Sequence, residues 1–297
     1  MIIYFQPLHE RAPPVDYWLY LTGEDESQYV ALARHAEAAG LRGVALADHV
    51  AVPVRFGSTH PSGETPFDHR SSFPDPLTFA AAILASTSTL EVMPYVYILP
   101  MREPFSVAKQ AATLAVLSDG RFRMGVGAGW LFEEIELMGQ AVPARGRRMD
   151  EMLEIMRAFW MQESVEYHGE FYDFAPAGMA PRPAQPIPIW VGGKSRAALS
   201  RAVRQDGWLG MNYDLPEVHA LLDTLAELRA EAPPRDDPFE VFVIPNADPS
   251  PDLHAALGER GVTSTLAFAW PAGDPNYDSL AAKQKAIDAF AKTFLGR

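Results

Sequence analysis

Short apolar runs alternate along this chain with longer segments in which apolar residues recur every three or four positions. Short continuous apolar runs are typical of buried strands, and the longer spacing is typical of helices with one buried face. The runs predict strands at residues 2–5, 43–47, 90–96, 121–126, 187–191, 208–209, 241–244 and 265–268.

The segments between these strands carry helix signals. Asp25 is placed to cap a first helix that stops at Gly40, and Pro104 suits the first turn of another. Apolar residues at helical spacing predict a further helix over 149–160 and a last one near the C-terminus. Eight strands that alternate with eight helices over 297 residues predict an α/β fold, a (β/α)8 TIM barrel that forms one domain over residues 1–297.

Two connections, 50–74 and 169–188, are too long for routine loops of this fold. The first contains His60, Glu64, Asp68 and His69, but their spacing matches no known ligand set. We therefore expect no metal site and interpret this segment as a mobile lid with solvated charges.

Composition excludes several classes of function. The net charge of -13 argues against binding to nucleic acid, and the absence of cysteine excludes disulfides and thiolate chemistry. No apolar run approaches the roughly 20 residues of a membrane span, and the opening MIIYFQPLHE is not a signal peptide. We expect a soluble, cytoplasmic protein. The GxSxG, GxxxxGK[ST] and HExxH motifs are missing, so hydrolase, kinase and metalloprotease functions lack support.

Three glycines end the strand in GRFRMGVGAGWLFEEIELMG, residues 120–139. Gly125, Gly127 and Gly129 leave the backbone bare for close approach of a flat group. Trp130 stands where a dinucleotide fingerprint needs glycine, so the run is GxGxG rather than GxGxxG. By itself the run is a weak signal, because glycines at a strand end more often serve ordinary turn chemistry.

A second candidate site is WVGGKSRAAL, in which Gly192 and Gly193 end a strand and Ser195 is a natural N-cap. The first turn of the following helix leaves amides unpaired, and Lys194 and Arg196 add positive charge, so a phosphate suits this turn. Because charges beyond about 8 Å are screened at physiological salt, these local groups can outweigh the acidity of the chain. A plain turn is the alternative.

His49 directly follows the strand GVALAD, which places it at the rim where barrels carry their chemistry. An imidazole there could donate a hydrogen bond or relay a proton, or it could bond its own loop. Asp48 beside it is interpreted as an orienting or structural group.

The glycine run, RGRRMDEMLEIMRAFW (145–160) and PIPIWVGGKSRAALSRAVRQDGWLG (186–210) together resemble the bacterial luciferase-like family of flavin- and deazaflavin-dependent oxidoreductases. The resemblance extends over about residues 40–210. It implies that His49, at the end of its strand, is the functional histidine and that Gly192, Gly193, Lys194, Ser195 and Arg196 hold the cofactor phosphate. It also implies a non-prolyl cis peptide at Tyr95-Val96 that braces one face of the ring, and approach of the ring or its ribityl chain to Gly127, Ala128 and Gly129.

One departure concerns Trp130, which stands where the deazaflavin-dependent sugar-phosphate dehydrogenases of this family have a catalytic glutamate. We interpret Trp130 as an apolar wall of the substrate pocket. Glu133 and Glu134 are expected to pair with Arg145, Arg147 and Arg148 rather than to act as general acids.

The resemblance implies hydride transfer between a cofactor and a small organic substrate, with the deazaflavin coenzyme F-420 favoured by the glycine segments. One alternative is an FMN-dependent two-component monooxygenase fed by a separate reductase, in which His49 assists the oxygenated intermediate. Another is a non-catalytic barrel that only binds an anion or flavin. The sequence names no substrate and leaves open whether the chain forms a homodimer.

Overall fold

The computed structural model describes residues 15–23, 25–61, 63, 65–235, 237–271 and 273–296. The strand predicted at 2–5 lies outside these residues. The first described strand is instead β1 (Asp16–Leu21), whose sequence DYWLYL was not among the predicted strands. Both of its faces are apolar because one faces the barrel interior and the other faces the helices, so YWLYL is a continuous apolar run like those of the predicted strands.

The other strands of the main sheet form a closed barrel together with β1. They are β2 (Gly43–Leu46), β3 (Glu91–Pro94), β4 (Tyr97–Ile98), β5 (Met124–Gly127), β8 (Ile189–Gly192), β9 (Gly207–Tyr213), β10 (Glu240–Pro245) and β11 (Ser264–Ala267). They are parallel and lie in the order β3-β2-β1-β11-β10-β9-β8-β5-β4.

The predicted strand 90–96 is divided into β3 and β4 at residues 95 and 96. β3 pairs with β2 and β4 pairs with β5, so the two halves occupy one position of the barrel. Val92 also forms a bridge with Phe122, which joins the two ends of the sheet. The (β/α)8 barrel predicted from the sequence is thereby confirmed.

Nine α-helices lie in the part of the chain that the structure describes. They are α1 (Tyr29–Ala39), α2 (Pro76–Ser86), α3 (Pro104–Leu117), α4 (Phe132–Leu137), α5 (Arg145–Met161), α6 (Arg196–Val203), α7 (Leu215–Glu231), α8 (Pro251–Glu259) and α9 (Leu280–Phe294). The short α4 is additional to the alternating pattern and follows the glycine run directly. Asp25 caps the 3-10 turn before α1, and Gly40, at φ +88°, ends that helix as predicted.

Two further differences affect the long connections. The segment after α5 contains an antiparallel hairpin of β6 (Val165–His168) and β7 (Asp173–Ala177), which the sequence did not predict. β9 extends well beyond the predicted residues 208–209 and ends at Tyr213, because Asn212 and Tyr213 pair with Ile244 and Pro245 of β10 after a bulge at Met211.

The barrel interior is filled by large apolar side chains. Trp18, Trp190 and Phe242 meet there in tilted and edge-to-face contacts, with ring centroids 5.7 Å and 6.0 Å from that of Trp18. Arg42 lies over Trp18 and Trp190 and is also ion-paired, so a cation covers this end of the apolar interior. The opposite end, where the strands finish, is where the candidate residues lie.

Candidate functional site

The end of β2 presents Asp48 and His49, two neighbours with different surroundings. Asp48 is buried and accepts hydrogen bonds from the amide of Ile98 at 2.8 Å and from two nitrogens of Arg102 at 2.7 Å and 2.6 Å. Burial raises the pKa of Asp48, and the guanidinium of Arg102 opposes that rise. The pair ties the ends of β2 and β4 together, which fits the structural role expected of Asp48.

His49 is held by a carboxylate. Its Nδ1 lies 2.7 Å from Oε2 of Glu134, whose side chain is fully buried. The imidazole is surrounded by aromatic rings, with the centroids of Phe67 and Phe73 at 4.8 Å and that of Trp130 at 6.0 Å. Only 7% of the His49 side chain is exposed, so bulk water is largely excluded from it.

The predicted pairing of Glu133 and Glu134 with three arginines is wrong. Glu134 binds His49 and the amides of Val50 and Ala51, and Glu133 binds the segment between β2 and α2. Arg145 donates to carbonyl groups, Arg147 pairs with Glu170, and Arg148 donates to the carbonyl of Arg102. The reason is local geometry: α4 directs its first turn toward the β2–α2 segment, whereas the arginines lie on α5.

The environment of Glu134 keeps it ionised. Burial acts to raise the pKa of Glu134, but the hydrogen bond and charge of His49, together with the two amides, bring that pKa below its usual value. An ionised carboxylate therefore lies beneath the rim histidine.

Trp130 lies in an aromatic cluster at the mouth of the barrel. Its ring centroid is 4.9 Å from His60, 6.0 Å from Phe67 and 6.2 Å from Phe56. Burial lowers the pKa of His60, and the nearby His49 lowers it further. This cluster offers an apolar surface beside His49, and its role as a substrate wall remains a prediction.

Of the four residues with metal-binding side chains between positions 60 and 69 in the β2–α2 segment, two are engaged in other contacts. Asp68 pairs with Arg70, and His60 packs against Trp130. Glu64 lies outside the described residues. Within the described ranges, no group of three or more possible ligands could hold a metal ion.

The peptide between Tyr95 and Val96 is cis, as the family resemblance implied. The hydroxyl of Tyr95 donates to the carbonyl of Gly210 on β9. Burial raises the pKa of Tyr95 well above its ordinary value, so the hydroxyl keeps its proton and donates it in this hydrogen bond. Val96 lies at the junction between β3 and β4.

The glycines of β5 leave room for the protein's own chain. A Cβ on Gly125 would lie 2.1 Å from the carbonyl oxygen of Pro94, and one on Gly127 would lie 2.6 Å from Val96. A Cβ on Gly192 would lie 2.9 Å from the same valine. The prediction that these positions are bare for a flat ligand is therefore incomplete, since Gly125 and Gly127 are required for strand packing.

Ala128 and Gly129 follow β5 and lie in the turn after it. Gly129 has φ +84°, where glycine is favoured, and it packs close to Ile98 and Ile135. Ala128, which precedes Gly129, is half-buried. This turn carries the chain from β5 toward Trp130 and α4.

The turn between β8 and α6 has the predicted form. Ser195 caps α6, its side chain accepting a hydrogen bond from the amide of Ala198 at 3.2 Å. Gly193, at φ +122°, donates to the carbonyl of Leu209 over a long 3.4 Å. Among the residues that the structure describes, the amides of Lys194, Ser195 and Arg196 have no hydrogen-bond partner. These three amides remain available to an anion.

The two cations of this turn differ. Nζ of Lys194 lies 2.8 Å from Glu217 and 5.1 Å from the centre of the Tyr213 ring, so it is already ion-paired. Arg196 begins α6 and is exposed. Arg196 is therefore the more accessible charge for a ligand.

A family model described as luciferase-like monooxygenase matches residues 11–287. The chain belongs to the luciferase-like monooxygenase family. An uncharacterized protein of Mycobacterium tuberculosis strain H37Rv is 37% identical over 278 residues, which are 92% of this chain and 96% of the relative. The FMNH(2)-dependent dimethylsulfone monooxygenase of Pseudomonas fluorescens strain Pf0-1 is 30% identical over 204 residues, which are 68% of this chain and 51% of that enzyme.

Solved structures share the luciferase-like barrel. The coenzyme F-420-dependent tetrahydromethanopterin reductase from Methanopyrus kandleri superimposes with a TM-score of 0.73 at 16% identity, covering 96% of this chain and 99% of that structure. A monooxygenase from Streptomyces bottropensis gives a TM-score of 0.71 at 19% identity, covering 95% of this chain and 99% of the other. At such identities the likeness shows the fold alone.

The partners of two residues at this rim, Glu134 and Arg102, were not predicted from the sequence. Glu134 had a detectable signal, because a carboxylate in the first turn after a glycine-rich strand end lies near the barrel rim. Arg102 had no such signal, since its pairing with Asp48 depends on how β4 and the turn after it approach β2.

No helix in the described part of the chain is long and apolar enough to span a membrane.

Proposed function

We propose that this luciferase-like protein is an oxidoreductase that transfers a hydride between the deazaflavin coenzyme F-420 and a small organic substrate. One observation carries the proposal: at the rim His49, which follows β2, is paired with the carboxylate of Glu134 on α4, while the turn after β8 offers three uncovered amides. The strand ends that bear them lie on one edge of a parallel barrel.

The residues present fit such a cofactor. Gly193 at φ +122° and the free amides of Lys194, Ser195 and Arg196 form a turn that accepts a phosphate, with Gly192 leading into it. The ring would be held by Tyr95, Val96 and the backbone of residues 127–129. When bound, the deazaflavin supplies the hydride-transferring carbon, and the protein supplies binding, orientation and proton transfer.

The chemistry left to the chain is the handling of a proton. Oxidation of an alcohol removes a hydride from carbon and a proton from the hydroxyl, and reduction of a carbonyl requires the reverse. In this proposal His49 takes or returns that proton at its Nε2, and the hydrogen bond between Nδ1 and Glu134 supports that role. Phe67, Phe73 and Trp130 exclude water from this exchange and favour an uncharged, apolar substrate.

An FMN-dependent monooxygenase served by a separate reductase is the second candidate. It is favoured by the FMNH(2)-dependent relative, which is 30% identical over 68% of this chain. In that case the same His49 would donate a proton beside the flavin. A barrel that only binds an anion or flavin is the third candidate.

Binding titrations and an oxygen electrode separate these three functions. We expect the deazaflavin to bind more tightly than FMN, and the reduced complex to consume no oxygen when substrate is added. Tighter binding of FMN, with oxygen consumed in proportion to substrate, would establish the monooxygenase instead. Binding of either cofactor without turnover across a panel of alcohols, ketones and aldehydes would leave a non-catalytic binder.

A further inference from the structure

We infer that Glu134 is a positioning residue that fixes the tautomer and orientation of His49, so that Nε2 is the only ring nitrogen left to accept a proton. The tautomer can be observed in the protein alone. The effect expected on turnover rests on the proposed function.

The hydrogen bonds around Glu134 define its role. Its Oε1 accepts from the amides of Val50 and Ala51 at 2.6 Å and 3.0 Å, and its Oε2 lies 2.7 Å from Nδ1 of His49. An ionised carboxylate has only acceptor sites, so the hydrogen between Glu134 and His49 belongs to Nδ1. The tautomer of a histidine is set in this way by the bond that its other nitrogen makes.

The carboxylate has no cationic competitor. Among the described residues, no lysine or arginine forms an ion pair with Glu134, and Arg145, Arg147 and Arg148 are engaged elsewhere. A buried charge must be compensated, and here the compensation comes from two amides and the imidazole.

Glu133 provides a matched control within the same turn of α4. It also accepts hydrogen bonds from amides of the β2–α2 segment, those of Gly57 and Ser58, but none from a histidine within the described ranges. Glu133→Gln and Glu134→Gln therefore each remove one charge from the first turn of α4. Each also weakens hydrogen bonds to the same β2–α2 segment. Only the second changes the partner of His49.

The test is the nitrogen NMR spectrum of the full-length protein labelled with 15N-histidine, without cofactor. His49→Gln identifies the His49 signals by their loss. We expect the neutral ring of His49 to be predominantly Nδ1-protonated in the unaltered protein and in Glu133→Gln. Glu134→Gln should shift the population toward the Nε2-protonated form, because the glutamine amide can donate to Nδ1.

Activity provides the second measurement. Glu134→Gln should lower kcat by about 10- to 100-fold, as is typical when the partner of a functional histidine is removed. The cofactor dissociation constant should change less than twofold. A structural role alone would not change the tautomer, and Glu133→Gln reports any general damage to α4.

Two results would overturn the inference. One is an Nε2-protonated His49 in the unaltered protein, a measurement that does not depend on whether any variant folds. The other is an unchanged tautomer in folded Glu134→Gln. If the spectra agree with expectation but no substrate is turned over, the positioning by Glu134 holds and the proposed function fails.

Discussion

Ser58 and Glu133 join the β2–α2 segment to the first turn of α4 through hydrogen bonds of both side chains. The hydroxyl of Ser58 accepts a hydrogen bond from the amide of Phe132 at 3.1 Å and donates to Oε2 of Glu133 at 2.7 Å. Glu133 in return accepts from the amides of Gly57 and Ser58 through Oε1. Leu131, the N-cap residue of α4, provides no side-chain cap, so the helix start depends on a distant segment.

Ser58→Ala should loosen this contact. Loss of an N-cap hydroxyl costs about 1 kcal/mol in the free energy of unfolding, within a range of roughly 0.5 to 2. We expect that loss in urea denaturation, together with faster limited proteolysis between β2 and α2. Thr59→Ala, at the exposed neighbouring position, is the control and should leave both measurements unchanged. Equal behaviour of the two variants would show that the contact does not hold the segment.

His49→Ala should lower turnover by about 10² to 10⁴-fold if His49 transfers a proton, because general acid–base catalysis contributes on this scale. Cofactor affinity should remain close to that of the unaltered protein, whereas the unfolding midpoint should fall, because Glu134 loses one of the groups that compensate its buried charge. His69→Ala serves as the control, since His69 is an exposed histidine of the same β2–α2 segment. Unchanged turnover in His49→Ala would return the residue to a structural role.

Gly193→Asp should abolish cofactor binding, measured by fluorescence titration. At φ +122° a side chain is strained, its Cβ would lie 2.9 Å from that of Ala198, and the added charge would repel phosphate. Gly193→Asn separates charge from strain, and we expect it to retain weak binding. If both variants bind as tightly as the unaltered protein, the phosphate does not lie at this turn.

Glu217→Gln should strengthen binding of the cofactor. The substitution releases Lys194 from its ion pair at 2.8 Å and removes a negative charge near the turn. We expect the affinity to rise a few-fold at low salt, and the gain to shrink as salt screens charges beyond about 8 Å. The same titration with Lys194→Ala and Arg196→Ala should show weaker binding, with the larger loss for exposed Arg196. A rise that is independent of salt would contradict an electrostatic cause.

The lowered pKa of Glu134 predicts a dependence of stability on acid. Because the carboxyl has a lower pKa in the folded state than its ordinary 4.5, its stabilisation is present above 4.5 and is lost as pH falls through the folded-state value. The difference in unfolding free energy between the unaltered protein and Glu134→Gln should therefore shrink between pH 6 and pH 3. Urea denaturation across that range measures it. A difference that grows toward acid would contradict the direction of this pKa shift.

The barrel was predictable because its signals are local. Apolar runs and helical spacing specify strands and helices one at a time, and Gly40 and Ser195 mark helix ends wherever they occur. The rim positions of His49 and of the β8–α6 turn followed from the same pattern. β1 was not predicted although YWLYL is a short continuous apolar run, because residues 2–5 offer an equal local signal for the first strand and periodicity does not choose between them.

The partners within the site were not predictable in the same way. Glu134 could reach an arginine on α5 or a histidine on β2, and only the direction of α4 decides between them. The glycines of β5 likewise suggested a ligand, although their nearest neighbours are Pro94 and Val96. Contacts between segments far apart in the chain depend on the assembled barrel, which local periodicity does not encode.

The directions in which Asp48 and His49 point follow from the alternation of side chains along β2. Within β2, Ala45 faces the barrel interior, while Val44 and Leu46 pack toward the helices. Continued past the strand end, this alternation gives Asp48 to the ion pair with Arg102 and His49 to the mouth. A single inserted or deleted residue in β2 would exchange the two, placing an imidazole against a guanidinium and a carboxylate among aromatic rings. Under the proposed function, the length of β2 is therefore as strict a requirement as the identity of the histidine, and a graft of this site into another barrel must preserve the register before it preserves any side chain.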